Sequence, residues 1–136
     1  MTTIDKEAFL DKFEVDLGTF YFYKNYIVSE IKEGTVLTID KLNDVIPVVS
    51  KYYKEKELFS YISNRIYSHS IVPMDYKECP FNNFENFIDY GAVCYNDITK
   101  KSVEIEKHFS TKPLKDFSNL DDAIKWTHKE VSTRNK

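Results

Sequence analysis

The chain has 136 residues, 42% of them hydrophobic and 30% charged, a balance that predicts one globular domain and excludes a disordered or fibrous polymer. Its formal charge of −3, with acidic and basic residues interspersed, offers no electrostatic footprint for a phosphate backbone or an anionic membrane, so nucleic acid is not an expected partner. The opening MTTIDKEAFLDKF carries charges where a signal peptide needs an apolar core, and no run approaches the about 20 apolar residues of a membrane span, so a cytoplasmic protein is expected.

Ten Phe, ten Tyr and one Trp imply that ring packing supplies much of the buried area, with tyrosine hydroxyls at the edge of the core. Cys79 and Cys94 lack CxxC spacing and read as reduced thiols. In chain order, residues Thr3 to Phe13 suggest a short amphipathic helix or arm, with Ile4, Phe9, Leu10 and Phe13 on one side. Two aromatic and β-branched runs follow, Thr19 to Tyr23 and Tyr26 to Ile31. Broken at Lys24-Asn25, they read as an antiparallel hairpin. In the second run Ile27, Ser29 and Ile31 share one face, and Tyr26, Val28 and Glu30 the other.

Leu42, Val45, Ile46, Val49 and Tyr52 or Tyr53 then recur at helical spacing, with Thr38 available as N-cap. Pro47 inside this pattern implies either a kink or a helix capped at Asn43, in which the proline falls in the first turn. Leu58 to Ser63 is a strand leading into a polar loop, Ser63 to Pro73. MDYKEC and FNNFENF are helical pieces interrupted by Pro80, with Phe81, Phe84 and Phe87 directed to the core.

YGAVCY, Tyr90 to Tyr95, is nearly unbroken apolar sequence, the pattern of a strand buried on both faces, and belongs in the middle of the sheet. Asn96 or Asp97 caps a helix expected to turn Ile98, Ser102, Ile105 and Phe109 inward. KPLKDF makes a short strand with Pro113 at its edge. The last helix opens at Ser118 with Asp121 as a variant capping box, and presents Leu120, Ile124, Thr127 and Val131 on one face. Residues 132–136 are expected to fray. Strands alternating with helices imply an α/β fold. Its mixed sheet of about five strands has an antiparallel N-terminal hairpin, mainly parallel strands after it, and helices on both faces.

The helix-opening LTIDKL, the strand and loop YISNRIYSHSIVP, the strand YGAVCYND entering a helix, and the closing DFSNLDDAIKW together resemble the SpoIIAA-like family of small bacterial STAS-related domains. The resemblance runs from about Gly18 to Trp126 and implies the fold and a non-enzymatic binding or regulatory role, through a partner protein or self-association. Classical STAS domains carry an Asp-Ser-Ser-Gly-like phosphoacceptor turn, and here the corresponding region reads SHSIVPMD, so that motif is absent. Relatives that look like CRAL-TRIO-type carriers imply an alternative, a small apolar, lipid-like ligand. A place for it lies between the sheet and the helix Thr38 to Tyr53.

Ligands of open α/β sheets gather beyond the carboxyl ends of the strands. That rule selects Asn64, Arg65, Ser68, His69 and Ser70 in one loop and Tyr95, Asn96 and Asp97 after the central strand. Turn and cap chemistry alone also calls for Ser, Asn and Asp at such places. A hydrolase would need Ser70 or Ser68 as nucleophile, His69 as base and Asp75 as orienter, but adjacent residues rarely converge as a triad and no GxSxG elbow occurs.

Histidines at 69, 108 and 128 form no HxxxH or HExxH pair, so no metal site is expected. Isolated Gly18, Gly34 and Gly91 allow neither GxGxxG nor a Walker A loop, and no cofactor is expected. The run FYFY, residues 20 to 23, would form an exposed aromatic strip if its strand lay at a sheet edge. Read as exposed-loop residues, Arg65 and His69 are each expected to tolerate alanine at a cost under about 0.5 kcal/mol, as thermal unfolding of the variants would show.

Overall fold

A computed structural model describes residues 8–54 and 56–135. Six strands form the main sheet: β1 (Phe9–Val15), β2 (Gly18–Tyr23), β3 (Tyr26–Ile31), β5 (Phe59–Arg65), β7 (Phe87–Cys94) and β8 (Leu114–Phe117). They lie in the order β1-β2-β3-β5-β7-β8, antiparallel from β1 to β3 and parallel from β3 to β8. β4 (Val36–Leu37) and β6 (Ser70–Ile71) make a separate two-stranded parallel ladder. The helices are α1 (Ile39–Leu42), α2 (Ile46–Tyr52), α3 (Asp97–Lys107) and α4 (Leu120–Arg134), and 3-10 turns occupy Pro73–Glu78 and Pro80–Asn83.

The expected hairpin is present, with Tyr23 paired to Tyr26. Asn25 in its turn takes φ 73°, a left-handed conformation that asparagine tolerates, and its Nδ2 donates to the Leu58 carbonyl at 2.7 Å, tying the turn to the start of β5. The N-terminal helix is corrected. Phe9–Phe13 belongs to β1, with residues in and out in alternation, while residues 3–7 of that expectation lie outside the described residues. Phe9, Leu10 and Phe13 suit a helical period, but Phe9, Phe13 and Val15 also suit a strand, and the free edge of β2 decides the matter.

Because β1 covers that edge, the FYFY strip is not exposed. Phe20 and Phe22 are buried in the core on one face of the sheet, Tyr21 and Tyr23 in the core on the other. Gly18 opens β2 at φ 155°, where any Cβ would collide with the Glu30 carbonyl on β3.

Each face of the sheet carries its own core, as strand alternation requires. On the front, Phe22, Ile27, Phe59, Tyr61, Phe87 and Tyr90 lie beneath α1, α2 and the 3-10 turns. On the back, Tyr26, Val28, Ile62 and Val93 meet Ala123 and Ile124 of α4. Tyr53 stacks on Phe59 at 4.5 Å, and its hydroxyl donates to the carbonyls of Tyr23 and Tyr26, closing the end of the hairpin.

The helix expected over Thr38 to Tyr53 is two helices. The Thr38 hydroxyl caps α1, and α2 restarts with Val45 as cap and Pro47 in its first turn, where the missing N–H breaks no bond. Asn119 rather than Ser118 caps α4, accepting from Asp122 N at 2.9 Å, and this helix continues through Arg134 into the segment expected to fray.

Asp89 on β7 is 1% exposed, and Ser60 on β5 donates to its carboxylate. Burial pushes its pKa up from 3.8 to about 6, with Glu130 adding to the rise and the Ser60 bond and Arg134 opposing it. A carboxyl whose folded pKa is raised weakens the fold as pH climbs through the window between the unfolded and folded values, here about 4 to 6. The isosteric Asp89→Asn keeps an acceptor for Ser60 without the charge. It is expected to stabilise the protein by about 2 kcal/mol at neutral pH and to flatten the pH dependence across that window, as urea unfolding at several pH values measures.

Candidate functional site

β5 is buried along its whole length between β3 and β7, and strand alternation points Tyr61, Ser63 and Arg65 to the front and Ser60, Ile62 and Asn64 to the back. Asn64 and Arg65 therefore end a strand rather than sit in a loop, which corrects their placement as exposed residues. Arg65 is 6% exposed. Its Nη1 and Nη2 donate to the two carboxylate oxygens of Glu106 on α3, each at 2.7 Å, and its Nε donates to Ser63 Oγ at 3.1 Å.

Glu106 also accepts from the Tyr76 hydroxyl at 2.7 Å and from Ser102 Oγ at 3.0 Å. Burial alone would raise the Glu106 carboxyl, but the Arg65 hydrogen bonds and charge, with those from Tyr76 and Ser102, hold it below the ordinary range. A buried ion pair persists only when its remaining polar capacity is met in this way.

The same pair corrects the orientation of α3. Ile98 is 82% and Ile105 55% exposed, Ser102 is exposed too, and Val103 and Glu106 are the buried residues; of the expected inward set only Phe109 packs against the core. Asn96 caps this helix, accepting from Thr99 N at 2.9 Å, and the exposed Asp97 sits in its first turn, where the helix dipole favours an anion.

On the back of the same rim, the Tyr95 hydroxyl donates to Asn64 Oδ1 at 2.6 Å, and Asn64 Nδ2 donates to Glu30 at 3.1 Å. The two loops thus meet at one end of the sheet. The segment after Arg65 is pinned to the connection after β3: Ser68 N donates to Glu33, Gly34 N to the Ser68 carbonyl, and Ser70 N to the Thr35 carbonyl.

His69 is half-buried, and neither of its ring nitrogens, both shielded from solvent, has a hydrogen-bond partner. Burial, then the Arg65 charge, holds its imidazole below the ordinary histidine range, against smaller opposing effects of the Tyr67 backbone and Glu106. The imidazole–hydroxyl and imidazole–carboxylate bonds of a Ser68 or Ser70, His69, Asp75 triad are not formed. Among the described residues no group of three His, Cys, Asp or Glu side chains is placed to hold a metal, Cys79 and Cys94 are free thiols, and no helix is long and apolar enough to cross a membrane.

Besides Tyr95, the rim has members that were not singled out for it from the sequence, Ile66, Tyr67 and Ile98. Ile66, Tyr67 and Tyr95 are about half exposed, and Tyr67 and Ile98 line a groove of about 270 Å³ that His69, Ser70, Thr99 and Ser102 also line. The exposure of Ile98 follows from the Arg65–Glu106 pair, because fixing Glu106 inward turns Ile98 and Ile105 outward on the same helix.

No family model and no curated protein matches the sequence. Among solved structures, an uncharacterized protein of the DUF3478 family from Shewanella loihica PV-4, with a SpoIIAA-like fold, aligns with a TM-score of 0.54 at 10% identity, covering 86% of this chain and 90% of that one. The chain has a SpoIIAA-like fold. At that identity the likeness is one of architecture, and the site rests on the residues of this chain.

Within this SpoIIAA-like domain, Arg65 serves the fold before any ligand. Arg65→Ala leaves Glu106 charged and buried, and is expected to cost about 3 kcal/mol, roughly 10 °C in Tm. The double variant Arg65→Met with Glu106→Leu is expected to recover most of that loss, whereas His69→Ala, which breaks no hydrogen bond, should stay within a few degrees. Thermal and urea unfolding of the three proteins measure the contrast.

Proposed function

We propose that this STAS-like domain works by binding, docking a protein partner on the rim at the carboxyl ends of β5 and β7. The carrying observation is the set of exposed apolar side chains along that rim, Ile66, Tyr67, Tyr95 and Ile98, of which Tyr67 and Ile98 share a groove, on a scaffold that hides aromatic residues efficiently elsewhere. Exposed apolar patches of this kind mark interaction sites, and half-exposed tyrosines are the usual anchors of interfaces. Ser68, Ser70, Asn96 and Asp97 supply a polar border around the patch, while Asn64 and Arg65 hold its floor.

Rigid support from beneath is what a recognition surface needs, because a pre-ordered patch loses little entropy on docking. The unformed hydrogen bonds of His69 favour this reading over hydrolysis, which requires a base already in reach of its nucleophile or brought there by substrate.

A photo-crosslinking amino acid placed at position 67 or 98 is expected to yield a discrete covalent adduct in host cells, either with one partner or with a second copy. The same group at Lys129, exposed on α4, should yield none. Ile98→Asp should abolish the adduct formed from position 67 while leaving Tm within a few degrees, since exposed substitutions cost about 0.5 kcal/mol or less. Equal labelling from α4, or adducts that survive Ile98→Asp, would rule out the rim.

A further inference from the structure

The front face holds a second feature, apart from the rim and independent of whether a protein docks there. A partly open cavity of about 50 Å³ lies over β5 and β7, beneath α1 and the turn Pro73–Glu78. Tyr61 and Tyr90 line its sheet side, and Leu37, Leu42, Ile71 and Leu114 are among the aliphatic residues around it.

Its wall also includes polar side chains, but the strongest donors are already engaged. Tyr61 donates to Ser29 Oγ at 2.7 Å, Tyr76 donates to Glu106, and Arg65 gives one N–H from each of its three nitrogens to Glu106 and Ser63. The Glu106 carboxylate compensates the Arg65 charge, so an incoming anion meets no net positive charge there. The remaining charged residue on the wall is Asp75, half-buried, whose carboxylate makes no ion pair among the described residues.

We infer that this cavity receives the apolar end of a small neutral or cationic molecule and discriminates against anions such as fatty-acid carboxylates. The apolar wall favours hydrocarbon, the guanidinium paired with Glu106 offers a carboxylate no net charge, and Asp75 repels it while accepting from an ammonium or hydroxyl group. As it stands the cavity suits a group of two or three heavy atoms, because a benzene ring occupies a cavity of about 150 Å³.

A ring enters when the roof yields, and the roof is built to yield. α1 has four residues and one buried side chain, Leu42, and the β4–β6 ladder has two residues per strand. The restart of α2 at Ile46, with Pro47 in its first turn, is what cuts α1 off as a separate short piece.

Methyl NMR of the whole protein under xenon, then with added benzylamine or benzoate, tests the inference. Xenon is expected to shift the methyl signals of Leu37, Leu42, Ile71 and Leu114, and benzylamine to reverse those shifts at concentrations where benzoate does not. Asp75→Asn should remove the advantage of benzylamine over benzyl alcohol, and Leu114→Phe, which fills the space, should reduce the xenon effect. Unmoved cavity methyls, or benzoate competing as well as benzylamine, would overturn the inference. Both comparisons use the unaltered protein, so a misfolded variant leaves the test intact. Crosslinking from position 98 reads the rim separately and is unaffected by either result.

Discussion

A guanidinium and a carboxylate buried against each other, Arg65 at the end of β5 and Glu106 on α3, set the geometry of everything at the candidate surface. Charges of this kind are tolerated inside a protein when they are paired and further hydrogen-bonded, and here Ser63, Tyr76 and Ser102 add to the bidentate pair. The pair fixes the rotation of α3 about its axis. From that rotation follow the outward stripe of Ile98 and Ile105 and the groove that Ile98 shares with the segment after β5.

The rest of the architecture is a division of labour between the two faces. Aromatic residues fill the front, where short helices and 3-10 turns lie over Phe22, Phe59, Phe81 and Phe87, and the long α4 covers part of the back. Short covering elements bury fewer side chains each, so the front is where local opening has the lowest cost, and the cavity sits there. The back carries the opposite tension, a buried Asp89 carboxyl whose charge the surroundings compensate only in part.

Much of the fold was legible because its signals are local. The break at Lys24-Asn25, the cap at Asn96 and the face of α4 each need only a few neighbouring residues, and each is where it was expected. The run Tyr90 to Tyr95 is strand up to Cys94, but β7 starts at Phe87, in residues read as helical, and is fifth of six strands rather than the middle one. The candidate surface was legible in part. Its location followed from strand order, and Asn64 and Asn96 do share one rim, but the roles within it did not follow. Asn64 and Arg65 carry polar side chains that read as exposed, and Ile98 and Ile105 carry apolar ones that read as buried. For Arg65, Ile98 and Ile105 the reading was inverted by a single partner, Glu106, on a helix more than forty positions away from Arg65, while Asn64 is held by Tyr95 and Glu30.

What the residues by themselves determined is the alternation of strands and helices, the hairpin, and the gathering of polar loops at one end of a mostly parallel sheet, because periodicity, caps and turns are short-range physics. The tertiary structure alone decided that Phe9–Val15 pairs as an edge strand instead of coiling, and that one ion pair turns α3. It also decided which side chains support the rim and which face outward. Those outcomes depend on which edge stands open and which charge lies opposite, and both come from segments distant in the chain that meet only in the folded state.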